Sequence, residues 1–281
     1  MKAKDSIRLP DNTRLVLHHG PGWQDSYLEI LLMPLLEGSA PSFATQVTSS
    51  QNSECWRAEV GGSSLFIKFF HFRDIFDRFP MLRKSRAERA LNGGELLLAK
   101  GFPTPELIAQ GNVMRAYRTV KCFLITGDLG GSFNVYDYLN KFPVAGQTAE
   151  VILKKRTLLK TAGRLIGNLH KNGIFHGDLR PGNILIDHQN AGNTPRLYFI
   201  DNERNRYFRR GIPPRLRLKN LVQINMIVMP QITFTDRLRF FYAYLSENPE
   251  LAPHAKEWIR RTFLRTKERL TEKIPGIWSD F

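Results

Sequence analysis

Apolar and polar positions follow two different periods along this chain. From residue 46 onward, QVTSSQNSECWRAEV and SSLFIKFF alternate apolar with polar on either side of Gly61-Gly62, a tight-turn dipeptide, and so predict strand, loop, strand, hairpin, strand. Residues 85–100 predict a helix, broken locally at Gly93-Gly94 and stopped by Gly101 ahead of PTP. The run KCFLIT (121–126) is strand-like, and the following GDLGGSFNVYDYL reads as a flexible hinge in which Gly127, Gly130 and Gly131 permit unusual backbone angles. The period then lengthens. Between 150 and 172, Val151, Leu158, Leu159, Ala162, Leu165, Ile166 and Leu169 recur at the three-and-four spacing of a buried helix face, with Gly173 as a C-terminal stop. Two further helices are predicted at 236–245 and 253–274, the second with Trp258, Ile259, Phe263 and Leu270 on one apolar face. The first forty residues are the least legible: WQDSYLEILLMPLL (23–36) fits a short helix ended by Pro34 or a strand.

Directly after the long helix comes IFHGDLRPGNILI (174–186), which sets an aspartate five positions before an asparagine between two apolar runs. That is the spacing of a phosphoryl-transfer loop, in which the aspartate accepts the proton of the attacking hydroxyl and the asparagine holds a metal ion on the nucleotide phosphates. Asp178 and Asn183 take those two places. A second metal-holding acid is expected on the next hairpin, because the charge on the transferred phosphoryl oxygens must be neutralised. Asp201 fits. It closes the apolar run LYFI (197–200) after HQNAGNTP, a stretch of strand-breaking turn residues.

Upstream, Lys68 stands between Ile67 and Phe69, where a lone charge is costly unless an anion meets it. In the phosphoryl-transfer arrangement that anion is the α- and β-phosphates of the nucleotide. A glutamate of the 85–100 helix would pair with this lysine, and Glu88 and Glu95, about two helical turns apart, are both candidates. The loop TSSQNS (48–53) lies where a phosphate-covering glycine-rich turn belongs, yet it has no glycine; Ser49 and Ser50 offer hydroxyls and backbone N–H groups instead.

Composition changes the picture in one respect. With 281 residues, the chain is long enough for two lobes sharing one cleft. Lys and Arg exceed Asp and Glu by 41 to 26, a formal charge of +15, so the far field attracts anions. The basic residues cluster. FFHFRDIFDRFPMLRKSRAER (69–89) interleaves aromatics with arginines, a mixture that suits an anionic surface or ligand, and Arg204, Arg206, Arg209, Arg210, Arg215, Arg217 and Lys219 follow Asp201 with no acid after Glu203 to balance them. Arginine forks suit carboxylate and phosphate, so an anionic acceptor is expected there. Cys55 and Cys122 lie in separate apolar runs without metal or disulfide spacing, which suits a reducing compartment. No signal peptide or membrane span is expected, and the chain is read as soluble or resting on a surface.

The residues after Asp201 narrow the acceptor. Neither Phe-Gly nor a later Ala-Pro-Glu follows, and Gly177 replaces the arginine that precedes the catalytic aspartate in protein kinases, so control by activation-loop phosphorylation is not expected.

The stretches SLFIKFF, SRAERALNGGELLLAKGFPTPE, LITGDLGGS, IFHGDLRPGNILI, LYFIDNERNRYF and TDRLRFFYAYL resemble the bacterial lipopolysaccharide core kinases, the Kdo and heptose kinase family, from about 48 to 245. The resemblance implies an α+β, protein-kinase-like fold: a small antiparallel-sheet lobe with an N-terminal extension (1–126), then a mainly helical lobe carrying the catalytic loop (127–281). It implies ATP and Mg2+ as cofactors. Lys68, Ser49, Ser50, Asn183 and Asp201 would bind the nucleotide, Asn183 and Asp201 the metal, and Asp178 would act as base. It also implies an anionic lipid-linked core oligosaccharide as acceptor and a cytoplasmic enzyme, peripheral at the inner face of the inner membrane, with no nucleic-acid partner. The alternatives are a kinase of a protein residue or other small-molecule hydroxyl, and a pseudokinase that binds anions without chemistry.

Overall fold

The computed structural model describes residues 3–187 and 194–273. The chain forms two compact units, Met1–Gly130 and Gly131–Phe281. Among the described residues the first unit is an antiparallel sheet of seven strands: β1 (Ala3–Arg8), β2 (Arg14–His19), β3 (Ala44–Ser49), β4 (Ser53–Val60), β5 (Ser63–Phe70), β6 (Leu107–Arg115) and β7 (Arg118–Gly127). They run in the order β1-β2-β6-β7-β5-β4-β3. Gly61 and Gly62, both at positive φ, turn β4 into β5 as their sequence requires.

Period-two alternation gives this sheet two distinct faces. One carries Leu15, Leu17, Leu65, Ile67, Phe123 and Ile125, packed with Tyr27, Leu31 and Leu32 from the segment ahead of β3. That segment is a π-turn over Leu28–Leu32 running into α1 (Met33–Glu37), so Pro34 does not end it. Proline sits in the first turn of α1, where its missing N–H costs nothing, and Gly38 at φ +83 closes the helix.

The opposite face is covered by α2 (Arg86–Ala99), where Ala87 and Ala90 pack on Phe70, Cys122 and Leu124. A Ser85/Glu88 capping box starts α2. The helix runs unbroken through Gly93 and Gly94, against the expected break. Gly94 lets β6 approach: a Cβ there would press on Leu107 at 3.0 Å.

The second unit begins with β8 (Phe133–Asn134) and α3 (Val135–Asn140). Of the three hinge glycines only Gly131 uses a positive φ, +70; Gly127 is an ordinary member of β7, opposite Leu65. Next come α4 (Ala149–Lys171), β9 (Ile174–Phe175), β10 (Ile184–Asp187), β11 (Arg196–Phe199), β12 (Arg206–Tyr207), α5 (Pro214–Asn225), α6 (Phe234–Glu247) and α7 (Ala255–Lys273). The turn expected between β10 and β11 lies largely in 188–193, outside the described residues.

Two glycines on α4 bring α6 close. A Cβ on Gly163 would stand 2.3 Å from the Phe240 carbonyl, and one on Gly167 2.7 Å from that of Tyr244, so neither position accepts a side chain without separating the helices. A buried Lys155–Asp236 ion pair at 2.9 Å ties the same two helices. On α7 the buried residues are Trp258, Thr262, Thr266 and Leu270, spaced by four, and Phe263 is exposed. Thr266 is hidden because it accepts from Asn225 of α5 and donates to the Thr262 carbonyl, which satisfies its hydroxyl inside; the buried Thr262 hydroxyl has no such partner among the described residues. No helix among the described residues is long and apolar enough to cross a membrane.

Candidate active site

Three of the residues singled out in the sequence meet within the second unit. The loop 176–183 leaves β9 and enters β10, and β10 pairs antiparallel with β11 so that Ile184 faces Phe199. The pairing extends one step: the Ile200 N–H donates to the Asn183 carbonyl at 3.0 Å, which brings the residue before Asp201 beside Asn183. Asn183 donates Nδ2 to the Asp178 carbonyl at 2.8 Å and lies 3.4 Å from Asp178 Oδ2. Its amide nitrogen is thereby committed to the loop, and its Oδ1 is the oxygen that remains for a cation.

Asp201 has φ +61 and ψ +50, left-handed backbone that costs a non-glycine residue roughly 1–2 kcal/mol. Strain of this kind at a named carboxylate points to function rather than folding. The short helical turn Asn202–Arg204 follows and explains Gly177: a Cβ there would meet Arg204 Cβ at 2.0 Å and its carbonyl at 2.6 Å. The glycine before Asp178 is therefore required by packing.

A chain of buried hydrogen bonds holds the loop. His176 is fully buried; its Nδ1 accepts from the Asp178 N–H at 3.2 Å and its Nε2 donates to the Ile200 carbonyl at 3.2 Å, so one neutral ring joins the loop to the strand that ends at Asp201. Burial holds its pKa below the usual histidine value. Asn220 of α5 clasps the same residue, accepting from His176 N–H at 3.2 Å and donating to its carbonyl at 2.6 Å. It also donates to Gln223 Oε1, and Gln223 donates to Asp178 Oδ1 at 3.3 Å.

The chain continues behind Asn220. His170 donates to Asn220 Oδ1 at 3.1 Å and accepts from Tyr244, which accepts in turn from Arg217 at 2.7 Å. Burial, with the Arg217 charge nearby, lowers the His170 pKa to about 3, and burial raises the Tyr244 hydroxyl to about 12. Arg217, expected in the anion-binding run, is instead a buried tie that also donates to Asn248 at 2.7 Å. A charge of this type stays inside because oxygens on three sides meet its fixed fork of donors.

Beside Asp178 lies a depression of about 420 Å³ lined by Tyr136, Asp178, Arg180, Asn183, Gln223 and Lys273 among others. Arg180 pairs with Asp178 Oδ1 at 2.8 Å. Arg209 and Arg210 are exposed and do not line it, so the cations at this mouth are Arg180 and Lys273. Sequence reasoning missed Arg180, although its place two residues after Asp178 in LRP was a usable signal. Gln223 and Asn220 gave none, being polar members of an otherwise ordinary helix.

The remaining candidates belong to the first unit. Lys68 on β5 is registered against Leu124 on β7 and Cys55 on β4, which puts it on the face that α2 covers. Its ammonium lies 5.1 Å from the Phe70 ring centroid. On α2 the Glu88 carboxylate accepts from the Ser85 N–H at 2.9 Å as half of the capping box. Ser49 ends β3, and the Ser50 hydroxyl accepts from the N–H groups of Asn52 and Ser53 and donates to the Ser53 carbonyl, shaping the turn. Two arginines of the basic belt are internal: Arg86 is buried and donates to the carbonyls of Asn52 and His71, and Arg89 pairs with Asp77 at 3.0 Å.

Among the described residues no three His, Cys, Asp or Glu side chains gather as a metal cluster. The residues that could hold a cation are Asp201, through its carboxylate, and Asn183, through its amide oxygen. Two hard oxygens suit magnesium, which keeps several waters and takes further ligands from phosphate, and do not suit a cation that needs an all-protein cage.

A solved structure of WaaP in complex with acyl carrier protein is similar in fold, with a TM-score of 0.59 at 19% identity over 84% of this chain and 95% of that one. The EKC/KEOPS complex subunit BUD32 of Coccidioides immitis (strain RS) is 45% identical over 42 residues, and this chain spans only 15% of that protein's length. The family model for lipopolysaccharide kinases matches residues 70–244, more than half of the chain and all of the loop geometry above. The chain has the protein-kinase-like α+β fold, is a phosphotransferase, and belongs to the lipopolysaccharide kinase (Kdo/WaaP) family.

Proposed function

We propose that the chain transfers the γ-phosphate of ATP to a hydroxyl of an inner-core lipopolysaccharide sugar, Kdo or heptose, in one in-line step with no covalent enzyme intermediate. The observation that carries this reading is the convergence of Asp178, Asn183 and the strained Asp201 on one hydrogen-bonded framework. Asp178 orients the sugar hydroxyl and takes its proton as the new oxygen–phosphorus bond forms; the bond to the β-phosphate oxygen breaks and ADP leaves. Lys68 neutralises the α- and β-phosphates. With Glu88 engaged in the capping box, Glu95 is the glutamate assigned to position Lys68. Ser49 and the backbone of the β3–β4 turn donate to phosphate oxygens, and the Ser50 hydroxyl shapes that turn.

Asn183 and Asp201 are the residues that would hold magnesium, which neutralises charge on the transferred phosphoryl oxygens when bound. Arg180 and Lys273 give the depression beside Asp178 the sign that an anionic sugar needs. The basic balance of the chain and the lipid-linked acceptor fit a cytoplasmic enzyme, peripheral at the inner face of the inner membrane.

The test is mass spectrometry of core oligosaccharide from cells with and without the chain. Loss of one phosphate from an inner-core sugar, restored by the wild type and not by Asp178→Asn, is expected. An unchanged core would refute the assignment of the acceptor.

A further inference from the structure

The peripheral location just proposed needs a contact surface, and a segment of the sheet unit has the chemistry for one. Between β5 and α2 the chain runs through a short 3-10 turn, Ile75–Arg78, and a second turn, closed by Leu82 and Arg83 N–H groups on the Phe79 carbonyl, that leads to Lys84. Four large apolar side chains point into solvent there, Ile75 at 64% exposure, Phe76 at 54%, Met81 at 88% and Leu82 at 69%. Folding would hide such residues if it could, because leaving each in water forgoes the stabilisation of burying it.

The turn is built rigidly in spite of this exposure. Asp74 caps it by accepting from the Asp77 N–H at 3.0 Å. Asp77, itself buried, accepts from the Arg73 N–H and pairs with Arg89 at 3.0 Å. Arg78 lies over the Phe72 ring at 5.3 Å, and Arg118 over Phe79 at 5.3 Å. The second stacking joins the segment to the β6–β7 turn, whose tip is Tyr117 at 80% exposure. The apolar tips are thus presented by a braced platform.

The charges around them decide the occupant. Arg73, Arg78, Arg83, Lys84 and Arg118 are all exposed, and the surface acid facing them is Asp74, already paired with Arg83 at 3.1 Å. Apolar tips, an aromatic hydroxyl and long cations in one patch match a bilayer interface: acyl chains take the tips, and anionic head groups take the cations. We propose that residues 73–84, with Tyr117 and Arg118, dock on an anionic lipid bilayer. This rests on the peripheral reading above and names the surface responsible for it.

Flotation of the full-length chain with vesicles tests the inference. Vesicles of phosphatidylcholine with added phosphatidylglycerol should carry the wild type in a salt-sensitive manner, and phosphatidylcholine alone should not. F76S/M81S/L82S should weaken binding at least tenfold, and R78S/R83S/K84S by on the order of 100-fold. Both replace exposed side chains, and thermal melting confirms that they fold. Wild-type flotation that is absent, or equal on the two vesicle types, would overturn the proposal, as would unchanged flotation of both variants. Equally decisive against it is a variant that floats normally but loses binding to an acidic protein. Phosphotransfer to delipidated core oligosaccharide, measured on the same preparations, separates the two proposals. Variants active there but absent from vesicles support the docking surface, whereas a wild type that floats but transfers nothing strikes the assigned reaction alone.

Discussion

Lys68 and Asp178 are held by different means. Lys68 rides on a sheet whose opposite face is almost wholly aliphatic and aromatic, with Leu65 and Ile67 of β5 and Phe123 and Ile125 of β7 fully buried. Asp178 is reached through polar links that are themselves buried: His176, Asn220, His170, Tyr244 and Arg217. Apolar packing is non-directional and tolerates small adjustments, while a buried hydrogen-bond chain fixes angles and penalises any member left unpaired. Asp178 thus has the more exacting support, which suits the proposed role of a base that must meet one hydroxyl within hydrogen-bond reach.

Removing the proposed base while keeping its framework separates the two kinds of support most strongly. Asp178→Asn should retain nucleotide binding and melting temperature while turnover falls by on the order of 10² or more. Next in size, Gly177→Ala forces a Cβ into the Arg204 backbone and should destabilise the helical unit by roughly 2–4 kcal/mol, seen as a lower urea midpoint. Asn220→Ala leaves the backbone of His176 and the amide of Gln223 without their partner; a loss of about 2–3 kcal/mol together with lower kcat is expected, and a stable variant of normal kcat would show that the framework does not position the base.

Acid should act on the same framework. His170 stays neutral to about pH 3 in the folded chain, while the unfolded imidazole titrates near 6.5, so the unfolded state binds more protons between those values. Stability is full above pH 6.5 and falls as pH drops toward 3, by on the order of 1 kcal/mol per unit, with buried His176 acting in the same direction. Melting temperatures between pH 7 and 4.5 should show this slope, reduced in His170→Gln; equal slopes would contradict the buried, neutral assignment. Asp201→Gly should have the smallest effect on stability, because glycine suits φ +61, and yet abolish transfer.

Much of this site was legible in sequence because its parts are close together there. Asp178, Asn183 and Asp201 lie on one loop and one hairpin, where spacing and turn chemistry fix geometry. The two glutamates of α2 cannot be ranked from helical spacing; the structure engages Glu88 in the capping box with Ser85, which is why Glu95 is the one proposed to meet Lys68. Illegible were the groups that depend on distant partners. Arg217 looked like one more surface arginine until Tyr244 and Asn248, 27 and 31 positions away, were found to surround it. Gly93-Gly94 looks like a break in sequence, but α2 runs through both and Gly94 is a contact point for β6. Thr266 interrupts the apolar stripe of α7 and yet is buried while Phe263 is exposed, because a hydroxyl satisfied by its own helix can be buried like an alkyl group.

Asp178, on its buried framework, is proposed as the base for transfer of phosphate from ATP to a core sugar. Single-turnover measurement with the purified chain, Mg-ATP and dephosphorylated core oligosaccharide tests it most directly. One phosphate appearing on an inner-core sugar with the wild type, at a rate at least about 100-fold above that of Asp178→Asn, is the expected result. Equal rates for the two proteins, or phosphate that never reaches the sugar, would contradict it.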